Sequence, residues 1–335
     1  MNVGIIGLGY WGPNLVRNFL SQKNIDQVFV FDQNTKRVQA IKQNFPKLIH
    51  VNSFNDLMAS NVDAIVIATP VGTHFKLAKK SLEAGKHTWV EKPMTSTSKE
   101  AIDLINLAES KNLKLFVDHT YLYTDPIKKM KELIEKDELG DVNYFDSVRI
   151  NLGLFQHDVN VIWDLAPHDL SIMNYLIPNK KVVAVSANGI ANYYDQENIA
   201  HLSIYCDNNC FAHFHVNWTS PVKIRRMIVG GMKKMLVFND MENFEKIKIY
   251  DCGVRMNTDK DIHEALVQYR IGDMYSPKVT QTEALSLAAK EFIDSIIEDK
   301  IPLTSGVDGL NVVRILEASE KSLARGGSVI YLEKI

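Results

Sequence analysis

The sequence predicts an α/β protein in two parts, a doubly wound parallel sheet followed by an α+β part with a largely antiparallel sheet. In the first ~120 residues, short apolar runs alternate with helical patterns, which is typical of βαβ units. After about Tyr123 the order changes to helices followed by alternating strands. The length of 335 residues suffices for about two domains, each with its own core.

In the first part, apolar runs predict six strands. These are Val3–Ile6, Gln27–Phe31, Lys47–Val51, Ala64–Ala68, His87–Val90 and Lys114–Val117. The segments between them have helical periodicity, and Thr97 and Glu100 have the spacing of a capping box at one helix start. We therefore expect a doubly wound domain over residues 1–122.

The second part, residues 123–335, contains alternating runs that predict strands at Val182–Val185, Leu202–Cys206 and Met227–Val229. Near the end, Glu283–Ile297 and Val307–Leu323 have helical periodicity. We expect an α+β domain here, with these last helices as candidates to pack back on the first domain.

Composition excludes several classes of protein. The net charge is −2, which provides no global positive field for nucleic acid. Hydrophobic residues make up 46% and charged residues 23%, typical of an ordered globular chain. Three cysteines are too few for a secreted disulfide framework. There is no signal-peptide pattern and no apolar run near the ~20 residues that cross a bilayer. We expect a cytoplasmic protein without nucleic-acid or membrane partners.

A glycine motif follows the first predicted strand and opens a helix. It reads Gly7-Leu8-Gly9-Tyr10-Trp11-Gly12, a G-x-G-x-x-G in the context that dinucleotide binding requires. The first glycine allows a tight turn, the second lets the backbone approach a pyrophosphate, and the third lets the helix pack closely on the strand. The alternative is that these glycines only shape the turn. Asp32 ends the second strand, where a carboxylate binds the ribose hydroxyls and repels a 2′-phosphate. The pattern favours NAD over NADP.

Two further motifs carry chemistry. Glu91-Lys92-Pro93 ends the fifth strand, at the sheet edge where ligands bind, although such a tripeptide is also common on surfaces. A lysine beside a cofactor would supply a fixed positive charge to a reacting oxygen. Asp164 and His168 are four residues apart in a predicted helical run, with Pro167 in its first turn. Alternatively, Asp164 is an N-cap and His168 a surface residue.

Together these motifs resemble the Gfo/Idh/MocA oxidoreductases over essentially the whole chain. The resemblance rests on the glycine motif, Thr69-Pro70 with His74, Glu91-Lys92-Pro93 and the D-x-x-x-H of Asp164 and His168. Gly7–Phe19 and Gly272–Pro277 are similar to the branch acting on nucleotide-linked sugars, such as UDP-N-acetylglucosaminuronate at C3. The resemblance implies a homodimer or homotetramer.

The resemblance also assigns roles to residues. Lys92 and His168 would be the catalytic pair, with Asp164 assisting. Residues expected at the cofactor are Gly7, Gly9, Tyr10, Trp11, Gly12, Asp32, Thr69, Pro70, His74, Glu91 and Lys92. Residues expected at the substrate are Lys92, Tyr121, Arg149, Asp164 and His168. For the aromatic residues core packing remains an alternative, and for Arg149 a bridge to a surface carboxylate.

Hydride leaves a sugar carbon only as its hydroxyl loses a proton, so the site needs a base. Histidine suits this task, and a position near a helix N-terminus would favour its neutral form. The sequence thus favours an NAD-dependent dehydrogenase of a sugar hydroxyl. The alternatives are a free sugar or inositol dehydrogenase, an NAD-dependent glycosidase, or a non-catalytic NAD-binding regulator.

One cluster imitates a metal site. Cys206, Cys210, His213 and His215 have suitable ligand types, but a turn at residues 207–209 would place the two histidines on the opposite face from Cys210. We expect no metal.

Overall fold

The computed structural model describes residues 1–153, 155–156, 158–255 and 268–333. The chain forms two compact units, one made of residues 1–123 and 282–314, the other of residues 124–281 and 315 onward. The sequence-based division after residue 122 assigned 282–314 to the second part of the chain, with its helices as candidates to pack back on the first domain. The structure places this segment in the first unit.

The first unit contains a six-stranded parallel sheet with the order β3-β2-β1-β4-β5-β6. Its strands are β1 (Asn2–Ile6), β2 (Gln27–Phe31), β3 (Ile49–His50), β4 (Ala64–Ile67), β5 (His87–Val90) and β6 (Leu115–Val117). The helices between them are α1 (Gly12–Leu20), α2 (Thr35–Asn44), α3 (Phe54–Ala59), α4 (His74–Glu83) and α5 (Ser98–Ser110). This is the predicted doubly wound fold, and it is confirmed. The strand order reverses between β1 and β4, so ligands are expected beyond the carboxyl ends of these strands.

The second unit contains a mixed sheet. Within the described ranges its order is β14-β13-β12-β11-β7-β10-β9-β8-β15, with β7 and β10 parallel and the other neighbours antiparallel. The helices are α6 (Asp125–Glu135) and α7 (Val161–Leu176). The strands are β7 (Val142–Leu152), β8 (Val182–Ile190), β9 (Ile199–Cys206), β10 (Cys210–Asn217), β11 (Thr219–Gly231), β12 (Met235–Asn239), β13 (Ile247–Arg255), β14 (Gln268–Tyr275) and β15 (Ile330–Tyr331). The expected largely antiparallel sheet is confirmed, and α7 contacts β7, β9 and β10.

Two helices follow β14, namely α8 (Ala284–Ile297) and α9 (Gly306–Leu323). Helix α8 belongs to the first unit because Phe292 packs into an aromatic cluster there. The centre of its ring lies 5.6 Å from the ring centre of Trp89, 5.4 Å from that of Phe116 and 6.4 Å from that of Phe19. These side chains are fully buried, so α8 completes the core that the first 123 residues begin.

Candidate active site

The glycine loop joins β1 to α1 with the geometry of a dinucleotide-binding turn. Gly7 has φ +91°, a conformation that side chains other than glycine rarely adopt. A Cβ on Gly12 would lie 2.3 Å from the Gly7 carbonyl oxygen, so only glycine fits there. Apart from the chain neighbours of Gly9, the nearest described atom to an added Cβ is Arg37 Nη1, at 3.9 Å. The loop is therefore closed at its two ends and open in its middle, which fits a pyrophosphate above Gly9.

Asp32 ties the end of β2 to this loop. Its Oδ2 accepts a hydrogen bond of 2.7 Å from the Leu8 amide, and its Oδ1 accepts one of 2.7 Å from the Asn34 amide. Arg37 Nη1 lies 3.7 Å from Asp32 Oδ2. Each carboxylate oxygen has two lone pairs, so both can still accept a ribose hydroxyl.

Thr69, Pro70 and His74 form the segment after β4. The Thr69 hydroxyl lies 2.7 Å from that of Thr73. His74 is buried, with Nε2 2.7 Å from the Thr69 carbonyl oxygen and Nδ1 2.9 Å from that of Pro93. The imidazole thus holds the segment after β4 against the segment after β5, and its place in the cofactor site stays a prediction.

The Glu91-Lys92-Pro93 motif follows β5, at the carboxyl edge of the sheet, and its Lys92-Pro93 peptide is cis. The Glu91 carboxyl is hydrogen-bonded to that of Asp118, which follows the neighbouring strand β6. Burial, and then the nearby Asp118, raise the pKa of Glu91 well above its ordinary value. Burial also raises the pKa of Asp118. Electrostatic interactions link both carboxyls to Lys92.

Trp11 and Tyr10, both in the glycine loop, have different surroundings. Trp11 Nε1 donates a hydrogen bond of 3.4 Å to Asp118 Oδ2, so the loop is connected to the end of β6. Tyr10 is 91% exposed, which excludes core packing within this chain. Tyr121 lies in a 3₁₀ turn, Thr120–Tyr123, and is half-buried. Their contacts with cofactor or substrate stay predictions.

Sequence reasoning missed Asp118 and His119. His119 is buried, and neither ring nitrogen has a hydrogen-bond partner among the described residues. Burial, and secondarily Lys92, lower its pKa to about 3, so the imidazole is neutral. Both residues directly follow an apolar strand at the carboxyl edge, a signal that the sequence already contained.

In the second unit, Asp164 and His168 lie on one face of α7, as their spacing predicts. The helix begins earlier than expected. Asn160 is its N-cap, accepting from the amides of Ile162 at 3.1 Å and Trp163 at 3.3 Å. Asp164 is therefore not the cap, and its Oδ2 instead accepts a hydrogen bond of 3.0 Å from Trp218 Nε1.

Because α7 begins earlier than expected, two expectations about Pro167 and His168 are wrong. Pro167 lies inside α7, not in its first turn. Because proline lacks an N–H, Pro167 cannot make the usual helical hydrogen bond to the carbonyl of Trp163. His168 lies beyond the first turn, where the effect of the helix dipole fades, so the argument for a neutral imidazole at the N-terminus was wrong.

Arg149 is 3% exposed and does not bridge to a surface carboxylate. Its Nε donates a hydrogen bond of 2.9 Å to Oδ1 of Asp169, a buried residue of α7. Ser147 donates to Oδ2 of the same carboxylate at 2.8 Å. This buried group fixes α7, and with it the adjacent His168, to β7. A contact of Arg149 with substrate stays a prediction.

The cysteine and histidine cluster has the faces expected from alternation. Cys210 is buried opposite Cys206, whereas His213 and His215 are half-buried on the other face of β10. In the part of the chain that the structure describes, no group of three or more His, Cys, Asp or Glu is placed to hold a metal ion. The described helices include none that is long and apolar enough to cross a membrane.

An NAD-type turn on a doubly wound sheet, followed by a mixed-sheet unit carrying D-x-x-x-H, defines a class of nicotinamide-dependent oxidoreductases. Residues 1–119 match the oxidoreductase family with an NAD-binding Rossmann fold, and residues 127–237 match the GFO/IDH/MocA C-terminal domain. The chain belongs to the Gfo/Idh/MocA family of oxidoreductases.

Relatives in this family include proteins with different substrates. UDP-N-acetylglucosamine 3-dehydrogenase of Acidithiobacillus ferrooxidans is 30% identical over 93% of this chain and 94% of its own length. Its structure superposes with a TM-score of 0.80, at 24% identity over 97% of this chain and 98% of that one. The scyllo-inositol 2-dehydrogenase (NADP(+)) of Bacillus subtilis is 23% identical over 96% of this chain and 93% of its own length. GenD2 from gentamicin A biosynthesis, solved with NAD, has a TM-score of 0.83 at 18% identity, covering 100% of this chain and 97% of that one.

Proposed function

We propose that this oxidoreductase oxidises the C3 hydroxyl of a nucleotide-linked sugar such as UDP-N-acetylglucosamine or its uronate, or reduces the corresponding ketone, with NAD as cofactor. The observation that carries the proposal is the Asp164–His168 pair on one face of α7. It occurs in a chain that is 30% identical to a UDP-N-acetylglucosamine 3-dehydrogenase over nearly its full length. The carboxyl-edge position of Lys92 supports the same chemistry.

His168 is the proposed base that takes the proton from the sugar hydroxyl. An imidazole has an ordinary pKa of about 6.5, so it can accept a proton near neutral pH and return it in the reverse direction. The ammonium group of Lys92 stabilises the oxygen as it becomes negative. When bound, NAD⁺ supplies the hydride acceptor.

Asp164 is the proposed positioning residue of this set. Its Oδ2 accepts a hydrogen bond of 3.0 Å from Trp218 Nε1, and a carboxylate held in this way can also accept from a sugar hydroxyl. Because one carboxylate oxygen is fixed by the indole, the other has a defined direction. This arrangement suits orientation of the substrate better than proton transfer.

Asp32 supports NAD over NADP as the cofactor. Its carboxylate is fixed by the Leu8 and Asn34 amides at the edge of the glycine loop. A 2′-phosphate would meet this negative charge, whereas a 2′-hydroxyl would donate to it.

The test is the change in absorbance at 340 nm when the protein and NAD⁺ are mixed with each member of a panel of UDP-sugars, free hexoses and inositols. The panel includes UDP-N-acetylglucosamine and its uronate, and a coenzyme-exchange step releases any tightly bound NADH. Reduction with a UDP-sugar alone is the expected result. Reduction with inositol or free sugars alone would overturn the nucleotide-sugar assignment. If NAD binds but the absorbance does not change, with either NAD⁺ or NADH as cofactor, the result would favour the glycosidase or the regulator.

A further inference from the structure

Two carboxyl groups meet at the carboxyl edge of the sheet, one after β5 and one after β6. Val90 and Val117 are register partners in the parallel pair, and the Asp118 amide donates a hydrogen bond of 2.9 Å to the Val90 carbonyl. Glu91 and Asp118 are thus fixed side by side by the backbone. Asp118 is 1% exposed, and Glu91 Oε1 is buried and has no hydrogen-bond partner among the described residues.

The hydrogen bond between these side chains requires one proton, because two carboxylates have only acceptors. The surroundings show which residue carries it. Asp118 also accepts from the Thr120 hydroxyl at Oδ1 and from Trp11 Nε1 at Oδ2. Asp118 thus accepts from two donors besides Glu91, whereas Glu91 accepts from one, the backbone amide of Lys92, so Asp118 is the carboxylate and Glu91 is the acid.

Three other titratable groups adjoin the pair, since Lys92 and His119 follow Glu91 and Asp118 in the chain and Tyr123 interacts with Asp118. Lys92 interacts with both carboxyls, and one negative charge on the pair balances its positive charge. His119 is neutral, since burial lowers its pKa to about 3. Tyr123 is also neutral at ordinary pH, because burial raises the pKa of its phenol well above 10. In the neutral pH range, the Glu91 proton is therefore the one whose loss would change the local charge.

We propose that Glu91 and Asp118 hold one proton between them and act as a positioning pair, linking the segment that carries Lys92 to the dinucleotide-binding glycine loop through Trp11. The link runs from Glu91 to Asp118 Oδ and from there to the indole N–H. Loss of the shared proton would put two negative charges together, separate the carboxyls and loosen the loop. The effect on the cofactor rests on the proposed function, whereas the shared proton does not.

The first experiment compares Glu91→Gln with Glu91→Leu in NADH binding, measured by fluorescence titration. The Gln amide is the same size as the acid and still donates to Asp118, so Kd is expected to rise at least threefold less than in Glu91→Leu. Leu removes the donor, and Kd is expected to rise about tenfold or more. Asp118→Asn should resemble Leu, because Thr120 and Trp11 donate to different oxygens of Asp118, and in Asn an NH₂ group, which cannot accept, replaces one of the two oxygens. Equal loss in the Gln and Leu variants, or no loss in either Leu or Asn, would overturn the proposal.

The second experiment measures the shared proton without any cofactor. Urea unfolding of the native protein and of Glu91→Gln is followed from pH 5 to pH 8. A buried acid with a raised pKa releases its proton on unfolding, so the native unfolding constant should rise by up to tenfold per pH unit relative to Glu91→Gln. The matched control is Glu83→Gln, an exposed glutamate of the same unit, for which a flat ratio is expected. A flat or falling ratio for Glu91→Gln would show an ionised Glu91 and overturn the proposal.

The two experiments can contradict the proposed function and the shared proton independently. If the native protein binds no NADH, the proposed function fails, while the pH dependence of unfolding still decides the shared proton. If NADH binds normally but the ratio of the two unfolding constants does not change with pH, the shared proton is contradicted and the dehydrogenase proposal stands.

Discussion

At the scale of the residue, the proposed chemistry depends on Lys92 and His168 having different tasks. Removal of either group by alanine should reduce kcat by about 100-fold or more, since each acts on the oxygen during its proton transfer. Binding of NADH should change little in His168→Ala. Steady-state kinetics with the sugar that the panel identifies as substrate measures kcat, and titration with NADH measures cofactor binding. Lys111→Ala and His213→Ala are controls outside the site, and turnover within a few fold of native in the site variants would contradict the assignment.

Cofactor choice is a second residue-scale prediction. In Asp32→Ala the carboxylate that repels a 2′-phosphate is gone, while Arg37, 3.7 Å away in the native chain, stays to bind it. The ratio of the NADPH and NADH dissociation constants should fall at least tenfold, about 1.4 kcal/mol. Adding Arg37→Ala should erase this gain. Fluorescence titrations at one ionic strength test both variants, and an unchanged NAD preference in Asp32→Ala would show that Asp32 does not set it.

At the scale of the element, local patterns in the sequence predict much of the structure. The strands of the parallel sheet have continuous apolar runs. At α5 the predicted cap forms, with Thr97 Oγ1 accepting from the Glu100 amide at 3.2 Å, whereas Glu100 Oε2 accepts from the Ser96 amide at 3.2 Å. The start of α7 was missed because the proline at 167 suggested a first turn, whereas Asn160 caps the helix earlier. Tertiary packing tolerates a proline there that periodicity alone does not predict.

The contacts of side chains across elements were beyond sequence reasoning. Arg149 pairs with Asp169 and Trp218 with Asp164, over separations of 20 and 54 residues. Spacing along one helix or strand contains no information about such partners. The Asp118–Glu91 pair was missed for the same reason, although each residue was visible at a strand end.

The buried pair between β7 and α7 yields an element-scale prediction. Arg149→Met leaves Asp169 charged and buried, so the free energy of unfolding should fall by about 3 kcal/mol. The double variant Arg149→Met with Asp169→Leu should recover part of this loss, since no unpaired charge remains. Urea denaturation measures both. A raised KM with unchanged unfolding in Arg149→Met would instead favour a direct contact with substrate.

At the scale of the whole molecule, the association of chains stays a prediction from family resemblance. We expect a homodimer or homotetramer, and light scattering of the purified protein measures it directly. A monomer at all concentrations tested would contradict this expectation. The outcome bears on neither the shared proton nor the assignment of Lys92.

The first unit is discontinuous in the chain, and the sequence identified its last segment only as a candidate to pack back on the first domain. Periodicity identified α8 as a helix but does not indicate which core the helix joins. Phe292 decides this, since its ring packs with Phe19, Trp89 and Phe116. The first 123 residues alone therefore lack part of the packing of their core.

This discontinuity predicts the behaviour of fragments. Residues 1–123 expressed alone should not unfold cooperatively, because fully buried Trp89 and Phe116 would lose their contact with Phe292. Joining residues 282–314 to this fragment by a flexible linker should restore a sharp thermal transition, measured by circular dichroism. In the full chain Phe292→Ala should lower the free energy of unfolding by about 3–5 kcal/mol, and Phe292→Leu by less. A cooperative transition of the 1–123 fragment close to that of the joined fragment would mean that α8 only covers a core that is already complete.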